Sequence, residues 1–313
     1  MASFIEQPGD PQIPPPYSFP NVTIYSFRLM ADMSALTQIC NARLNIGTPE
    51  QRGFEYRPIL PFVDLEVLHY PKMMSENPRF NWGWSTQHEC YFRLLVGKFD
   101  YRAGVPIPVE AAIFIPYIFV DNAWSVVSGR EVVGFPKVMA SFSLPSSEPA
   151  QTGRLYPIEV MSDVFQEYSA RSTQSICPVV MIESSRASQD TDEVPPGTIW
   201  PWGVFNPSTI NPAFLPFLKD GTRFSTVQLK QIRDAERSDS ACYQALVSAE
   251  FEVVRIGPLK KTFPAADISI PRYDSLRIEQ ELGLMGETLQ PLWQYTVNCD
   301  LKYGKVRNLF VNT

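Results

Sequence analysis

Apolar and polar positions along this chain repeat mostly with a period of two. From Phe62 to Leu68 the run Phe-Val-Asp-Leu-Glu-Val-Leu sets Asp64 and Glu66 between apolar neighbours, the pattern of a strand with two unlike faces. Residues 89–99 and 110–127 are rich in Val, Ile, Phe and Tyr, types that favour strands. Residues 246–256, 293–301 and 305–311 bring back strand-like runs in the last third. Helical spacing is confined to short stretches. Asp32 stands before Met33, Leu36, Ile39 and Cys40, which predicts a capped helix with one apolar face. Residues 225–237 read as a second helix, with Ser225 as cap and Val227, Ile232 and Ala235 facing inward.

Two connections interrupt the pattern. Residues 71–88 centre on Trp82-Gly83-Trp84 and read as a long, functional loop. Residues 184–212 form a second irregular segment, whose start, near 184–197, predicts a solvated, mobile loop. Residues 1–20 are Pro-rich and predict an extended arm, leaving 21–313 as a single domain. The expected fold is mainly β (α+β): an antiparallel β-barrel or double-barrel-like body with a few short helices.

Composition narrows the functions. The balance of 27 Lys+Arg against 33 Asp+Glu, a net charge of −6, argues against nucleic acid or an anionic membrane surface as partner. No apolar run nears the ~20 residues of a membrane span. The first residues lack the basic stretch and apolar core of a secretory signal. Cys40, Cys90, Cys177, Cys242 and Cys299 are far apart with no Cys-x-x-Cys pair, so free thiols in a reducing cytoplasm are expected. His69 and His88 are the two histidines, and neither lies in a nucleophile or zinc motif. Gly-x-Gly-x-x-Gly and P-loop patterns are absent. No metal and no cofactor is expected, which leaves chemistry that Lys, Glu, Arg or Tyr can perform.

One segment breaks the β pattern with chemistry in it. Gly129-Arg130-Glu131-Val132-Val133-Gly134-Phe135-Pro136-Lys137 follows a strongly apolar strand and runs into Val138, Met139 and Ala140. A lysine held in apolar surroundings loses its proton more easily. A neutral amine can attack a ketone and form an imine. Spacing alone reads equally as a surface lysine after a turn, its stem resting on apolar neighbours.

The same residues carry a resemblance. Asp121-Asn122, Gly129-Arg130-Glu131 and Gly134-Phe135-Pro136-Lys137 resemble the signature of the acetoacetate decarboxylase-like superfamily, in which a Gly-Arg-Glu turn precedes a Pro-Lys holding the Schiff-base lysine. The likeness runs from about Tyr17 to the C-terminus and is strongest over 117–140. It implies that Lys137 forms the imine and that Glu89 and Glu66 match two pocket glutamates, Glu89 moving protons or positioning substrate. Arg130 and Glu131 are expected to brace the turn. Phe135 and Tyr117 complete the substrate-binding or supporting set, and Trp82, Trp84, Tyr91 and Trp124 are further aromatic candidates for the pocket wall. Two positions depart from the decarboxylase. Val138 stands where it has a second lysine; that enzyme is itself the standard example of a lysine activated by a neighbouring cation, so the effect is taken as known. Without that lysine, desolvation or a cation such as Arg130 must serve. Val22 stands where the decarboxylase has a pocket arginine. The resemblance therefore implies a Schiff-base lyase acting on a small keto acid or ketone, by β-keto acid decarboxylation or by aldolase–dehydratase chemistry, in a homo-oligomer. A non-catalytic barrel that binds an apolar small molecule is the alternative.

Overall fold

The structure is a computed structural model that describes residues 3–5, 9, 12–144, 157–184, 198–199, 203–204, 212–218, 222–261 and 265–312. In chain order the strands are β1 (Tyr17–Met30), β2 (Phe54–Pro58), β3 (Phe62–Ser75), β4 (Ser85–Arg102), β5 (Val105–Val120), β6 (Lys137–Ser143), β7 (Ile158–Val164), β8 (Ser175–Ser184), β9 (Thr198–Ile199), β10 (Gly203–Val204), β11 (Arg223–Arg233), β12 (Ala241–Ile256), β13 (Lys260–Lys261), β14 (Ala266–Ser269), β15 (Trp293–Tyr303) and β16 (Arg307–Asn312). The α-helices are short: α1 (Met33–Arg43), α2 (Pro49–Arg52), α3 (Ala123–Val127) and α4 (Ile278–Leu282).

Seven strands close a barrel in the order β5-β11-β12-β15-β1-β3-β4, with β4 pairing back onto β5. Closure matters because it leaves no unpaired edge around the ring. Most ladders are antiparallel, but β5 pairs in parallel with both β11 and β6, so the barrel is mixed. The parallel β5–β6 pair starts a second sheet that continues through β7, β8 and β14.

The alternation predicted over 62–68 is present, but its polarity is turned inside out. Leu65 and Val67 of β3, with Cys90 and Phe92 of β4, point outward into the main apolar core, which also takes in Leu36 and Ile39 of α1 and Val160, Val180 and Ile182 of the second sheet. That core therefore lies between the barrel wall, the second sheet and α1. The opposite face of the same strands looks into the barrel and carries Asp64, Glu66, Glu89, Tyr91 and Arg93. At one end of the lumen Arg28 donates Nε and Nη2 to Asp64 at 2.7 and 2.8 Å. Arg93 lies 3.4 Å from Asp64 and 2.8 Å from Glu66. Glu66, fully buried, also accepts hydrogen bonds from the hydroxyls of Ser26 and Tyr91 at 3.2 and 2.5 Å.

Several expectations are met and others corrected. Asp32 caps α1 by accepting from the Ala35 amide, and Leu36, Ile39 and Cys40 are its buried face. The helix predicted over 225–237 is instead β11. Phe224 and Thr226 face the lumen and Val227 the outer core, a period of two. Pairing with β12 along its whole length, and with β5 over Ser225–Val227, holds it extended and overrides the helix propensity of its Gln, Leu and Lys. The connection expected over 71–88 shrinks to 76–84, because β3 and β4 extend their ladder to Met73 and Ser85. Tyr17 already opens β1, so the strand begins inside the predicted arm. The mobile loop expected near 184–197 falls, after Ser184, outside the described residues. All five cysteines are free, Cys242 alone being exposed. Among the described residues no helix is long and apolar enough to cross a membrane.

Asp64 is the anion shared by two buried guanidiniums. Burial alone would raise its carboxyl, but Arg28 and Arg93 hold it below the ordinary aspartate range. Its contribution is thus full above that range and lost as pH falls through the depressed value. Asp64→Asn removes the carboxylate charge that two buried guanidiniums share and is expected to cost about 3–5 kcal/mol, measured by urea unfolding at neutral pH.

Candidate active site

The chain leaves β5 at Val120 and returns as β6 at Lys137, parallel and adjacent, so a crossover is required between them. Asp121 starts it by accepting from the backbone N–H of His88 at 2.7 Å and lying 2.7 Å from His88 Nδ1. Asn122 then caps α3 through the Ser125 amide at 3.2 Å. A six-residue π-helical turn, Ser128–Val133, follows. It ends at Gly134, whose φ of 87° lies in the left-handed region and whose N–H bonds Gly129 O. Such a φ favours glycine. Arg130 Nη1 donates to the Lys137 carbonyl at 3.2 Å. This geometry puts Lys137 at the first position of β6 with its side chain turned back into the barrel.

The stem of Lys137 passes over Gly129. A Cβ on residue 129 would lie 2.5 Å from Lys137 Cδ, so that position has room for hydrogen alone. The amine, on a residue only 8% exposed, donates to Ser125 Oγ at 2.8 Å and to Glu89 Oε2 at 2.9 Å. Glu89 is 5% exposed and also accepts from Gln87 Nε2 at 2.9 Å and from the Tyr70 hydroxyl at 3.3 Å. Burial, with Glu89 beside it, pushes the Tyr70 phenol well above its usual range, so it stays a neutral donor. The purely apolar surround expected for Lys137 is thus replaced by an ion pair, with the Phe135 ring centroid 5.9 Å from Nζ.

These groups face a cavity of about 140 Å³ in the barrel lumen. Its wall is largely apolar, with Phe19, Ile24, Ile113, Phe135, Phe224 and Phe251 among its residues. Residues 12–16 of the Pro-rich arm run over one side. Ile13 lines the cavity and its N–H donates to Ser128 Oγ at 2.9 Å, while Pro16 O accepts from the Glu76 amide at 2.8 Å.

The structure brings Lys137, Glu89 and Phe135 together on the cavity, with Tyr91 and Trp124 in its wall, and places the other expected site residues elsewhere. Arg130 and Glu131 are exposed; Arg130 meets the Lys137 backbone and not its amine, and Glu131 accepts from Gln12 Nε2 at 2.6 Å. Glu66 lies beneath the cavity, behind Tyr91 and Arg93, and holds those two residues. Tyr117 faces away, bonded to Glu281 at 2.5 Å beside Arg43. The cause is a bulge: Tyr117 and Phe114 pair with Phe92 and Leu94, so one extra residue of β5 reverses the faces after Ile115. Val22 is buried among Ile24, Leu68 and Val297 and does not line the cavity. It shares the inward face of β1 with Ile24, in unbroken register, and sits in the packed part of the lumen beside the cavity. Trp82 and Trp84 are exposed and away from the cavity, whereas Tyr91 and Trp124 line it. Val138 is 37% exposed, pointing away from the lumen as the residue after an inward lysine must. Sequence reading missed Ser125, Tyr70, Gln87 and Arg93. Gln87 and Arg93 flank Glu89 at even spacing on β4, and that spacing was the available signal. Among the described residues no group of three or more His, Cys, Asp or Glu side chains is placed to hold a metal.

The chain matches the acetoacetate decarboxylase (ADC) family over residues 4–261 and belongs to that family. Among solved structures it resembles an acetoacetate decarboxylase from Legionella pneumophila subsp. pneumophila str. Philadelphia 1, with a TM-score of 0.55 and 15% identity over 98% of each chain. A second acetoacetate decarboxylase structure gives a TM-score of 0.50 and 14% identity, covering 96% of this chain and 92% of the other. Identities this low establish the shared fold. No curated protein matches the chain.

Gly129→Ala is expected to keep the barrel folded and to expel the Lys137 stem from its channel, breaking the contact with Glu89 and Ser125. Amine-directed labelling of Lys137, read by peptide mass spectrometry, should then rise several-fold, while circular dichroism stays unchanged.

Proposed function

We propose that the protein is a Schiff-base-forming lyase that acts on a keto acid through Lys137, with β-keto acid decarboxylation as its reaction. The observation that carries this reading is the Lys137 amine, buried at an apolar cavity and held between the Glu89 carboxylate and the Ser125 hydroxyl. Family membership supports it.

In the resting site the ammonium and the carboxylate form a hydrogen-bonded pair. Attack on a ketone needs the free amine, and Glu89 Oε2 at 2.9 Å is placed to receive the proton. The amine then adds to the carbonyl carbon, and Glu89 gives the proton back to the carbinolamine hydroxyl, which leaves as water and gives the protonated imine. This cation draws the electron pair of the adjacent C–C bond as carbon dioxide leaves, forming a neutral enamine. Glu89, reprotonated from solvent, then delivers to carbon the one proton that the overall decarboxylation consumes. Water hydrolyses the resulting imine and frees Lys137. Tyr70 and Gln87 keep Glu89 oriented, and Ser125 offers a hydroxyl to the carbinolamine.

Aldolase–dehydratase chemistry on the same imine is the second reading. It is favoured by the outward side chain of Val138, which leaves no second lysine beside Lys137 on that strand, and by the absence of any arginine at Val22. Product masses separate the two: carbon dioxide and a ketone, or a condensed or dehydrated acid.

Incubation with a panel of keto acids followed by borohydride reduction is expected to fix the substrate skeleton on the peptide that carries Lys137. Lys137→Arg should abolish the adduct. Glu89→Gln should slow turnover by about 10²–10⁴ while still allowing some trapping. An absence of adduct across the whole panel would remove this reading and leave a ligand-binding barrel.

A further inference from the structure

The polar groups of the cavity are not confined to Lys137 and Glu89. Arg93 also lines it and is, with Lys137, one of two cationic side chains among the described lining residues. It is 4% exposed. Its Nη2 is ion-paired with Glu66 at 2.8 Å, yet off the line of a hydrogen bond, so Nε and Nη2 are buried without a hydrogen-bond acceptor. Buried guanidinium donors left in this state are costly unless something occupies them. The Gln87 Oε1 atom is likewise buried and unsatisfied at the lysine end. The lumen thus has an unfilled acceptor at one end and unfilled donors at the other.

We propose that Arg93 anchors a carboxylate of the substrate, and that this carboxylate is distal to the ketone that meets Lys137. The proposal rests on the imine reading above and names its substrate class: a keto acid with a second, remote carboxylate or a carboxylate several carbons from the ketone. The register sets the span. Arg93 and Glu89 lie on the same face of β4, separated by two same-face steps of about 7 Å each. The guanidinium covers the first step, because it reaches Glu66, the cross-strand partner of Tyr91. One step of about 7 Å remains to the level of Glu89 and the Lys137 amine, room for about four or five carbon–carbon bonds. The leaving carboxylate of a β-keto acid is two bonds from its ketone carbon and cannot bridge that gap, so it would lie beside Lys137 while Arg93 holds a different group. Tyr91 stands between Glu89 and Arg93 on the same face of β4 and lines the cavity, where it would flank the methylene chain.

The test compares 5-oxohexanoate with its neutral isostere 5-oxohexanamide, each titrated against the intact protein with borohydride trapping at Lys137. Half-saturation is expected at about ten-fold lower concentration for the acid, the worth of a charge-assisted pair. Arg93→Gln should erase that difference while the amide is still trapped. Glu66→Gln, which removes the anion competing for Arg93, should widen the difference instead, an opposite sign that misfolding does not produce. Equal half-saturation for acid and amide in the unaltered protein overturns the anchor and leaves the imine intact. The same Arg93 dependence for acetoacetate overturns the distal placement. If neither these ketones nor any member of the keto-acid panel is trapped, the imine reading falls, and calorimetry with hexanoate against hexanamide decides the anchor alone. Arg93-dependent binding of hexanoate upholds it, and no binding overturns it.

Discussion

Charges enclosed in the barrel lumen are the constraint on which the rest of this structure depends. Arg28, Arg93 and Lys137 face Asp64, Glu66 and Glu89 inside a closed ring of strands. Water is too scarce there to solvate an unmatched ion, and removing one member of a buried pair strands the other. The alternation of the strands serves this arrangement. Their apolar face turns outward because α1 and the second sheet are there to cover it. A barrel without that covering layer would have had to reverse the pattern, with its carboxylates in solvent. The second sheet is therefore more than an appendage: it lets the lumen be polar.

Lys137 reaches this lumen by an unusual route. It belongs to β6, which lies outside the closed ring and pairs with β5 in parallel. A parallel neighbour demands a crossover, and here the crossover is short, built from α3 and the π-helical turn. The turn brings Gly129 against the lysine stem and α3 brings Ser125 against the amine. The residues of the Gly-Arg-Glu segment thus act on the lysine in different ways: Gly129 by leaving space, Arg130 by holding the Lys137 carbonyl, Glu131 by tying the turn to the N-terminal arm.

This division explains what was legible in the sequence. The strand pattern gave the fold class, and the resemblance around 121–137 pointed to Lys137 and Glu89, which do meet. Helix propensity misread 225–237 because the ladder of β11 with β12, joined by β5 at Ser225–Val227, outweighs it. Tyr117 was expected on the pocket, and a bulge in β5 turns it to the other face; Val22 keeps the inward face but lies in the packed part of the lumen. Bulges are set by tertiary packing and leave little trace in local sequence. Glu66 was expected on the pocket and is found supporting Arg93, because the alternation marks which face a residue shares but not how deep in the barrel it sits. Arg93 was overlooked although it stands four residues from Glu89 with the same parity. An arginine in an apolar strand reads as a surface charge until the barrel is seen to be lined with acids.

Charge balance through the proposed reaction cycle joins the two ends of the cavity. At rest the formal charges of the lumen cancel, three cations against three anions. Passing the Lys137 proton to Glu89, and returning it to the departing water as the protonated imine forms, keeps the sum at zero. A substrate carboxylate takes it to minus one, its loss as carbon dioxide is matched by the disappearance of the iminium charge as the enamine forms, and one proton delivered from solvent to carbon restores zero. A second carboxylate, on Arg93, then has to be matched separately. Glu66 is suited to that: burial pushes its carboxyl up, against the pull of Arg93, so it accepts a proton more readily than an ordinary glutamate when another anion takes its place on the guanidinium. The acid beneath the floor is on this account the counterweight of the floor, and the glutamate beside the lysine is the counterweight of the imine, each tied to its own cation within one continuous lumen.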